Sequence, residues 1–206
     1  MLYNLLKILL SPIVRSVWLR KVYGEGNIPN AGPYLLAVNH ESNLDPLVIS
    51  SVFPVRLYYL TGEKFYKFAI FRYLMNKTEQ IYVDRTAKDK SSVFVESKDH
   101  LAKGHVVAIF PEGTRTRSGH IEKAYLGVAR IALQNKVDIL PAAISGTFED
   151  YPPGKTFPRF SKNVDMHILS LIKYEDFKNM TEETIVHSLV MPQIAAANGE
   201  EYLYAT

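Results

Sequence analysis

The sequence predicts an α/β fold: a single mixed, largely parallel sheet flanked by helices and preceded by an N-terminal amphipathic helix. Three observations predict it. Short apolar β-like runs alternate with helix-like stretches along most of the chain. The runs are apolar enough for strands covered on both faces. The length of 206 residues suits one domain with a substantial core. The β-like runs are 22–24, 34–39, 56–60, 80–84, 106–110, 138–145 and 164–172. Helix-like stretches at 46–53, 64–75, 88–103 and 121–135 separate most of them. A last helix is expected over 181–197, broken or kinked at Pro192. It opens on Thr181 as N-cap, with Glu182 and Glu183 at the positive end of the dipole.

Residues 1–21 read as a helix of their own, leaving 22–206 for the α/β domain. The segment is strongly apolar but not a membrane span: Lys7 and Arg15 interrupt it, and Pro12 kinks it. It also lacks the basic start and the small-residue cleavage site of a signal peptide. At helical spacing Asn4, Lys7, Ser11 and Arg15 form one narrow stripe, and leucines, isoleucines and valines fill the rest. Trp18, Arg20 and Lys21 close the segment. A wide apolar arc with a basic stripe suits a helix lying in the membrane interface. A helix packed on the domain core is the alternative.

Composition excludes several chemistries. There are no cysteines, which removes disulfides, thiolate metal sites and cysteine nucleophiles, and a reducing compartment fits. The net charge of +3 is mild, and the clustered basic stripe of a nucleic-acid binder is missing. No P-loop, dinucleotide fingerprint, H-E-x-x-H or G-x-S-x-G occurs. His100, His105, His120, His167 and His187 are scattered and are not expected to be ligands.

Two clusters remain. In NHESNLD, residues 39–45, His40 and Asp45 stand five positions apart, which on a helix would send them to different faces. They meet only if Glu41, Ser42 and Asn43 turn. Pro46 suits a first helical position, so Asp45 is equally readable as an N-cap, and Ser42 opens an S-x-x-D capping pattern. The same turn lets Asp45 accept from one His40 ring nitrogen and leaves the other basic, as a general base requires. With no nucleophile of its own, such a pair would activate a substrate hydroxyl or a water. The second cluster, FPEGTRTRSG, follows the run 106–110. Gly113 and Gly119 permit tight turns, and Arg115 and Arg117 offer guanidinium forks suited to phosphate. Glu112 would hold Arg115 or bond a substrate hydroxyl. Arg85, after the run 80–84, and Lys64, opening a helix, are further cationic candidates.

NHESNLD followed about 70 residues later by FPEGTR resembles the glycerophospholipid acyltransferases, specifically the small 1-acylglycerol-3-phosphate acyltransferases. The family's H-x4-D motif falls on His40 and Asp45, its second motif on Val83, Asp84 and Arg85, and its third on residues 110–115. Its fourth falls on Ile139, Leu140 and Pro141, and GEGNIP at 24–29 is similar to the usual lead-in to the domain. The likeness spans roughly residues 20–150. It departs at position 41, where Glu replaces the frequent Gln or basic residue. It departs again before the second motif, where residues 76–79 lack the usual glycine.

The resemblance implies the glycerol-3-phosphate acyltransferase-like fold and transfer of an acyl chain from acyl-ACP or acyl-CoA to a lysophospholipid acceptor. His40 would be the general base and Asp45 its orienting partner. Glu112, Gly113, Thr114, Arg115, Arg85 and Lys64 would bind the acceptor. No metal, cofactor or nucleic acid is implied. The protein would work at the membrane surface, on the cytoplasmic face of the cell membrane, as a peripheral or monotopic protein. Glycerol 3-phosphate or another lysolipid is the alternative acceptor, and a non-catalytic phospholipid-binding module or a hydrolase is the rival class.

Overall fold

In the computed structural model, which describes residues 2–84, 86 and 91–205, seven strands form one sheet. They are β1 (Leu19–Tyr23), β2 (Tyr34–Val38), β3 (Leu57–Gly62), β4 (Ile81–Val83), β5 (Val106–Ile109), β6 (Asp138–Ser145) and β7 (Val164–Ile168). Their order is β1-β7-β6-β2-β5-β3-β4. Every neighbouring pair is parallel except β6 with β7. The sheet is thus mixed and largely parallel, and each apolar run of the sequence supplies one strand.

Strand β2 shows why the runs had to be apolar. All five of its residues are buried, Leu35 and Ala37 on one face and Leu36 and Val38 on the other. The first face packs under α5 (Gly127–Asn135) and the C-terminal helices, through Val128, Ile131, Val186 and Ile194. The second packs under α2 (Asp45–Val52), through Val48, Ile49 and Val52. A strand with layers on both faces has no polar side to show.

The helices depart from the expected spans where polar groups intervene. Helix α5 begins at Gly127, not near 121. The preceding amides are captured sideways: Ile121 by Glu200, Glu122 by Glu112, Ala124 by the Tyr202 hydroxyl and Tyr125 by the Pro111 carbonyl. The stretch at 64–75 divides into a short 3-10 turn, Glu63–Lys67, and α3 (Ala69–Lys77), with Phe68 extended between them. Helix α4 covers Ser91–Ala102. The two short helices α6 (Thr147–Asp150) and α7 (Tyr174–Phe177) were not anticipated. Thr181 does cap the last helix, its Oγ1 accepting from the Thr184 amide at 3.1 Å. That helix runs as a π turn, Thr184–Val190, before α8 (Met191–Ala197), and Pro192 stands at the changeover.

Helix α1 (Leu2–Val17) lies against α2, and strand β1 begins just after it, ahead of the boundary expected at residue 22. Of the polar stripe of α1, Lys7 and Ser11 face inward and Arg15 reaches back to α2, while Asn4 is exposed. Lys7 Nζ donates to the Phe53, Pro54 and Val55 carbonyls at the end of α2, and Arg15 donates to Ser51 O. The Leu57 amide donates to the Tyr3 hydroxyl. Burial lowers the Lys7 pKa, yet carbonyls at a helix C-terminus are favourable partners for a cation. The basic stripe expected to meet lipid headgroups therefore docks the helix, because the lysine stem reaches a helix end. Leu5, Ile8, Leu9 and Ile13 are left exposed on the outer side. Among the described residues no helix is long and apolar enough to cross a membrane.

Candidate active site

Strands β6, β2 and β5 are adjacent and parallel, so their carboxyl ends deliver three loops to one edge of the sheet. From β2 come Asn39, His40 and Glu41; from β5 come residues 110–119; from β6 come Gly146 and Thr147. His40 Nδ1 lies 2.7 Å from Asp45 Oδ2. The same oxygen accepts the amides of Glu41 and Ser42 at 2.8 and 2.9 Å, and Asp45 Oδ1 accepts from the Thr147 hydroxyl at 2.6 Å. Asp45 is wholly buried. With three other donors already aimed at it, Asp45 is the acceptor towards His40, so Nδ1 is the nitrogen that donates, and in the neutral imidazole the lone pair stands on Nε2.

Asp45 is the first residue of α2, and Leu44 stands at the N-cap with no side-chain cap bond. The Asp45 side chain instead reaches back over the turn to the Ser42 amide, the returning half of a capping box. The cap pattern and the base-orienting role are thus one set of hydrogen bonds.

The β5 loop locks this turn from the other side. Glu112 Oε1 accepts the His40 amide at 2.8 Å, and its Oε2 accepts the Glu122 amide at 2.8 Å. The Thr116 amide donates to His40 O at 2.9 Å. Phe110 stacks on the imidazole, centroids 3.9 Å apart and planes 13° from parallel. Glu112, expected at the acceptor, is buried and turned inward, where both oxygens serve backbone. Burial pushes its carboxyl up to about 7, against the two amide bonds that favour the charged form. Gly113 has φ of +65° and closes a turn onto the Phe110 carbonyl; a Cβ there would stand 3.1 Å from the Tyr125 ring.

His40, Gly113 and Thr114 open onto a cleft of about 1510 Å³ that runs between α1 and the Phe65–Phe71 region. Its walls are mostly apolar, with Leu6, Leu10 and Phe71 among them. Arg115 is half-buried in the same loop and has no hydrogen-bond or ion-pair partner among the described residues. Lys64 is exposed on the 3-10 turn; its neighbours Gly62 and Phe65 line the cleft and Lys64 does not. Arg85 lies outside the described residues. Among the described residues no three potential metal-ligating side chains converge.

Sequence reasoning missed three contributors. Asn39 clasps the Ile144 backbone with both side-chain atoms at 2.8 Å, fixing the turn to β6. Thr116 and Thr147 act as described, and only the Gly-Thr pair ending the β6 run hinted at the latter.

A family model described as Acyltransferase matches residues 19–145, more than half of the chain. The chain belongs to the acyltransferase family. It is 29% identical over 127 residues to the 1-acyl-sn-glycerol-3-phosphate acyltransferase of Bacillus subtilis, covering 61% of this chain and 62% of that one. It is 26% identical over 205 residues to the enzyme of that name from Saccharomyces cerevisiae, covering 91% and 63%. The chain thus spans less than two thirds of those two relatives. The crystal structure of the 1-acyl-sn-glycerophosphate (LPA) acyltransferase PlsC from Thermotoga maritima shares the fold, with a TM-score of 0.77 at 20% identity over 96% of this chain and 80% of that one. The acyltransferase match takes in the His40–Asp45 turn and the β5 loop and ends just short of Thr147.

Proposed function

We propose that this acyltransferase moves a fatty acyl group from acyl-ACP or acyl-CoA to the free sn-2 hydroxyl of 1-acylglycerol 3-phosphate, giving phosphatidic acid. The observation that carries the reading is His40, its Nδ1 committed to the buried Asp45 while the ring opens onto a large apolar cleft. At about 1510 Å³ the cleft exceeds the roughly 300–1,000 Å³ typical of small-molecule pockets, so it has room for a long acyl chain. The names of the curated relatives support the same acceptor.

His40 Nε2 takes the hydroxyl proton as that oxygen attacks the thioester carbonyl carbon. The tetrahedral intermediate collapses, the C–S bond breaks, and the proton passes from Nε2 to the departing sulfur. Asp45 stabilises the imidazolium between these steps. General-base catalysis of this kind contributes about 10²–10⁴ in rate, and positioning in the cleft supplies much of the remainder. Arg115, with Arg85 and Lys64, binds the acceptor phosphate, and Gly113 and Thr114 shape the glycerol site beside His40. The exposed apolar face of α1 holds the protein on the bilayer, on the cytoplasmic face of the cell membrane.

The test is purified protein in detergent, assayed with a panel of lysolipids and glycerol 3-phosphate against both thioesters. Phosphatidic acid from 1-acylglycerol 3-phosphate is expected. Thioester hydrolysis without an acceptor, or no turnover with any of them, overturns the reading.

A further inference from the structure

Behind the His40 ring, two buried carboxyl groups face one hydroxyl. Thr147 Oγ1 lies 2.6 Å from Asp45 Oδ1 and 3.1 Å from Glu41 Oε2. A hydroxyl has one hydrogen and can donate fully to only one of them. Asp45 takes it, by the shorter contact and because its other oxygen already accepts from three donors. Glu41 Oε2 then meets a lone pair of the Thr147 oxygen. An ionised oxygen would oppose that lone pair, whereas a protonated one donates to it. Glu41 is only 6% exposed, and among the described residues no Lys or Arg pairs with it or with Asp45. Two ionised carboxylates sharing so small and dry a space are disfavoured.

The backbone is shaped for this meeting. Gly146, at φ +91°, ends β6 and turns Thr147 inward; a Cβ at that position would come within 2.5 Å of Asn163 O. The Phe148 amide donates to Glu41 Oε2 at 3.1 Å, which favours the charged form but is outweighed by burial.

We propose that Glu41 and Thr147 are positioning residues of the acyl-transfer site, a neutral Glu41 donating to Thr147 and Thr147 to Asp45, so that ionising Glu41 unseats the partner of the His40 base. The inference rests on the function proposed above. The titratable groups facing Glu41 are His40 and Asp45 from its own turn, Glu149 from α6, and Glu112 and His120 from the β5 loop. Burial, then the Asp45 and Glu149 charges, push the Glu41 carboxyl up to about 8, against the Phe148 amide and the Thr147 contact, which act the other way. It is therefore protonated at neutral pH and able to ionise just above it.

Three substitutions separate this role from simple packing. Glu41→Ala removes the donor, Glu41→Gln keeps a donor without titrating, and Thr147→Val cuts the chain of hydrogen bonds. With thioester and lysolipid, kcat of the unmodified protein is expected to fall as pH rises past about 8. Glu41→Gln should abolish that fall. Glu41→Ala and Thr147→Val should each lower kcat about tenfold with KM within about twofold, and Glu41→Gln and Thr147→Ser should recover most of the loss. An alkaline fall that persists in Glu41→Gln, or a Thr147→Val effect confined to KM, overturns the proposal. Infrared spectra of the substrate-free, full-length protein at neutral pH give an activity-independent reading. A protonated-carboxyl band that Glu41→Gln removes is expected, and its absence overturns the proposal whatever the kinetics show. If the band is present and no acyl transfer occurs with any acceptor, the functional reading fails while the hydrogen-bond chain stands.

Discussion

His40 is held from all sides: Glu112 takes its amide, Thr116 grips its carbonyl, Phe110 covers its ring and Asp45 fixes its tautomer. Removing the ring leaves this frame in place. His40→Ala is therefore expected to lose roughly 10²–10⁴ in kcat while melting and lysolipid binding stay close to those of the parent. Near-parental turnover in that variant would end the general-base assignment. Asp45→Asn should be milder, since its amide oxygen can still accept from Nδ1 and Thr147 can rotate to donate to Glu41. Arg115, free of partners within the described chain, should act on binding. Arg115→Ala is expected to raise KM for a phosphate-bearing acceptor by about 10- to 150-fold, the equivalent of the 1.5–3 kcal/mol of a charge-assisted contact. Arg115→Lys should restore only part of this, because an ammonium lacks the fork. Equal kinetics of parent and Arg115→Ala would assign the loop to structure. At this scale the His40–Asp45 contact was legible because the two stand five positions apart. Thr147 was not, since its partner lies 102 positions away and only the folded sheet brings β6 beside β2.

At the scale of elements, strands were easier to read than helices. An apolar run names a strand wherever it lies in the sheet, but a helix start depends on where its amides find acceptors. Residues 121–126 carry an amphipathic pattern, yet Glu112, Glu200 and Tyr202 take their amides, and the last two arrive from the far end of the chain. Helix α1 shows the same limit differently. Its period gives two faces, and nothing in the period says that the basic one looks inward. The two faces now make separable predictions. Ile8→Glu with Leu9→Glu, both outward and well exposed, should weaken binding to anionic vesicles at least about tenfold and shift Tm by less than about 2 °C. Lys7→Ala should leave vesicle binding largely intact but release the Phe53, Pro54 and Val55 carbonyls, costing about 1–2 kcal/mol, or roughly 2–8 °C in Tm for a chain of this size. Flotation with vesicles and thermal melts distinguish them. Vesicle binding indifferent to the outer-face charges would make α1 a packing helix alone.

At the scale of the whole molecule, the site carboxyls couple folding to pH, because only the assembled β6-β2-β5 edge buries them. Glu41 titrates at about 8 and Glu112 at about 7 in the fold, chiefly through burial, against an ordinary value of 4.5. Above pH 4.5 the unfolded chain releases these protons while the folded one keeps them. Stability contributed by the protonated pair is thus fully present below 4.5 and is lost as pH rises towards the folded values. Half-buried and buried histidines act oppositely. His100, His105 and His187 are lowered from 6.5 by burial, so their unfolded forms bind the extra proton and stability rises with pH until they are neutral in both states. The two effects oppose one another at mildly acidic pH, and between about 6.5 and 8 the histidine effect fades and the carboxyl effect outweighs it. Each pH unit over which one group stays protonated only in the fold removes about 1.4 kcal/mol. Urea unfolding should therefore show a lower midpoint at pH 8 than at pH 6.5, with the m-value unchanged. Glu41→Gln should flatten most of that difference, since Glu112 has largely ionised by the upper half of the window. A midpoint that is level or rises across this interval in the parent protein would mean that both carboxyls are already charged in the fold, and would leave Thr147 with two ionised neighbours and one hydrogen to share.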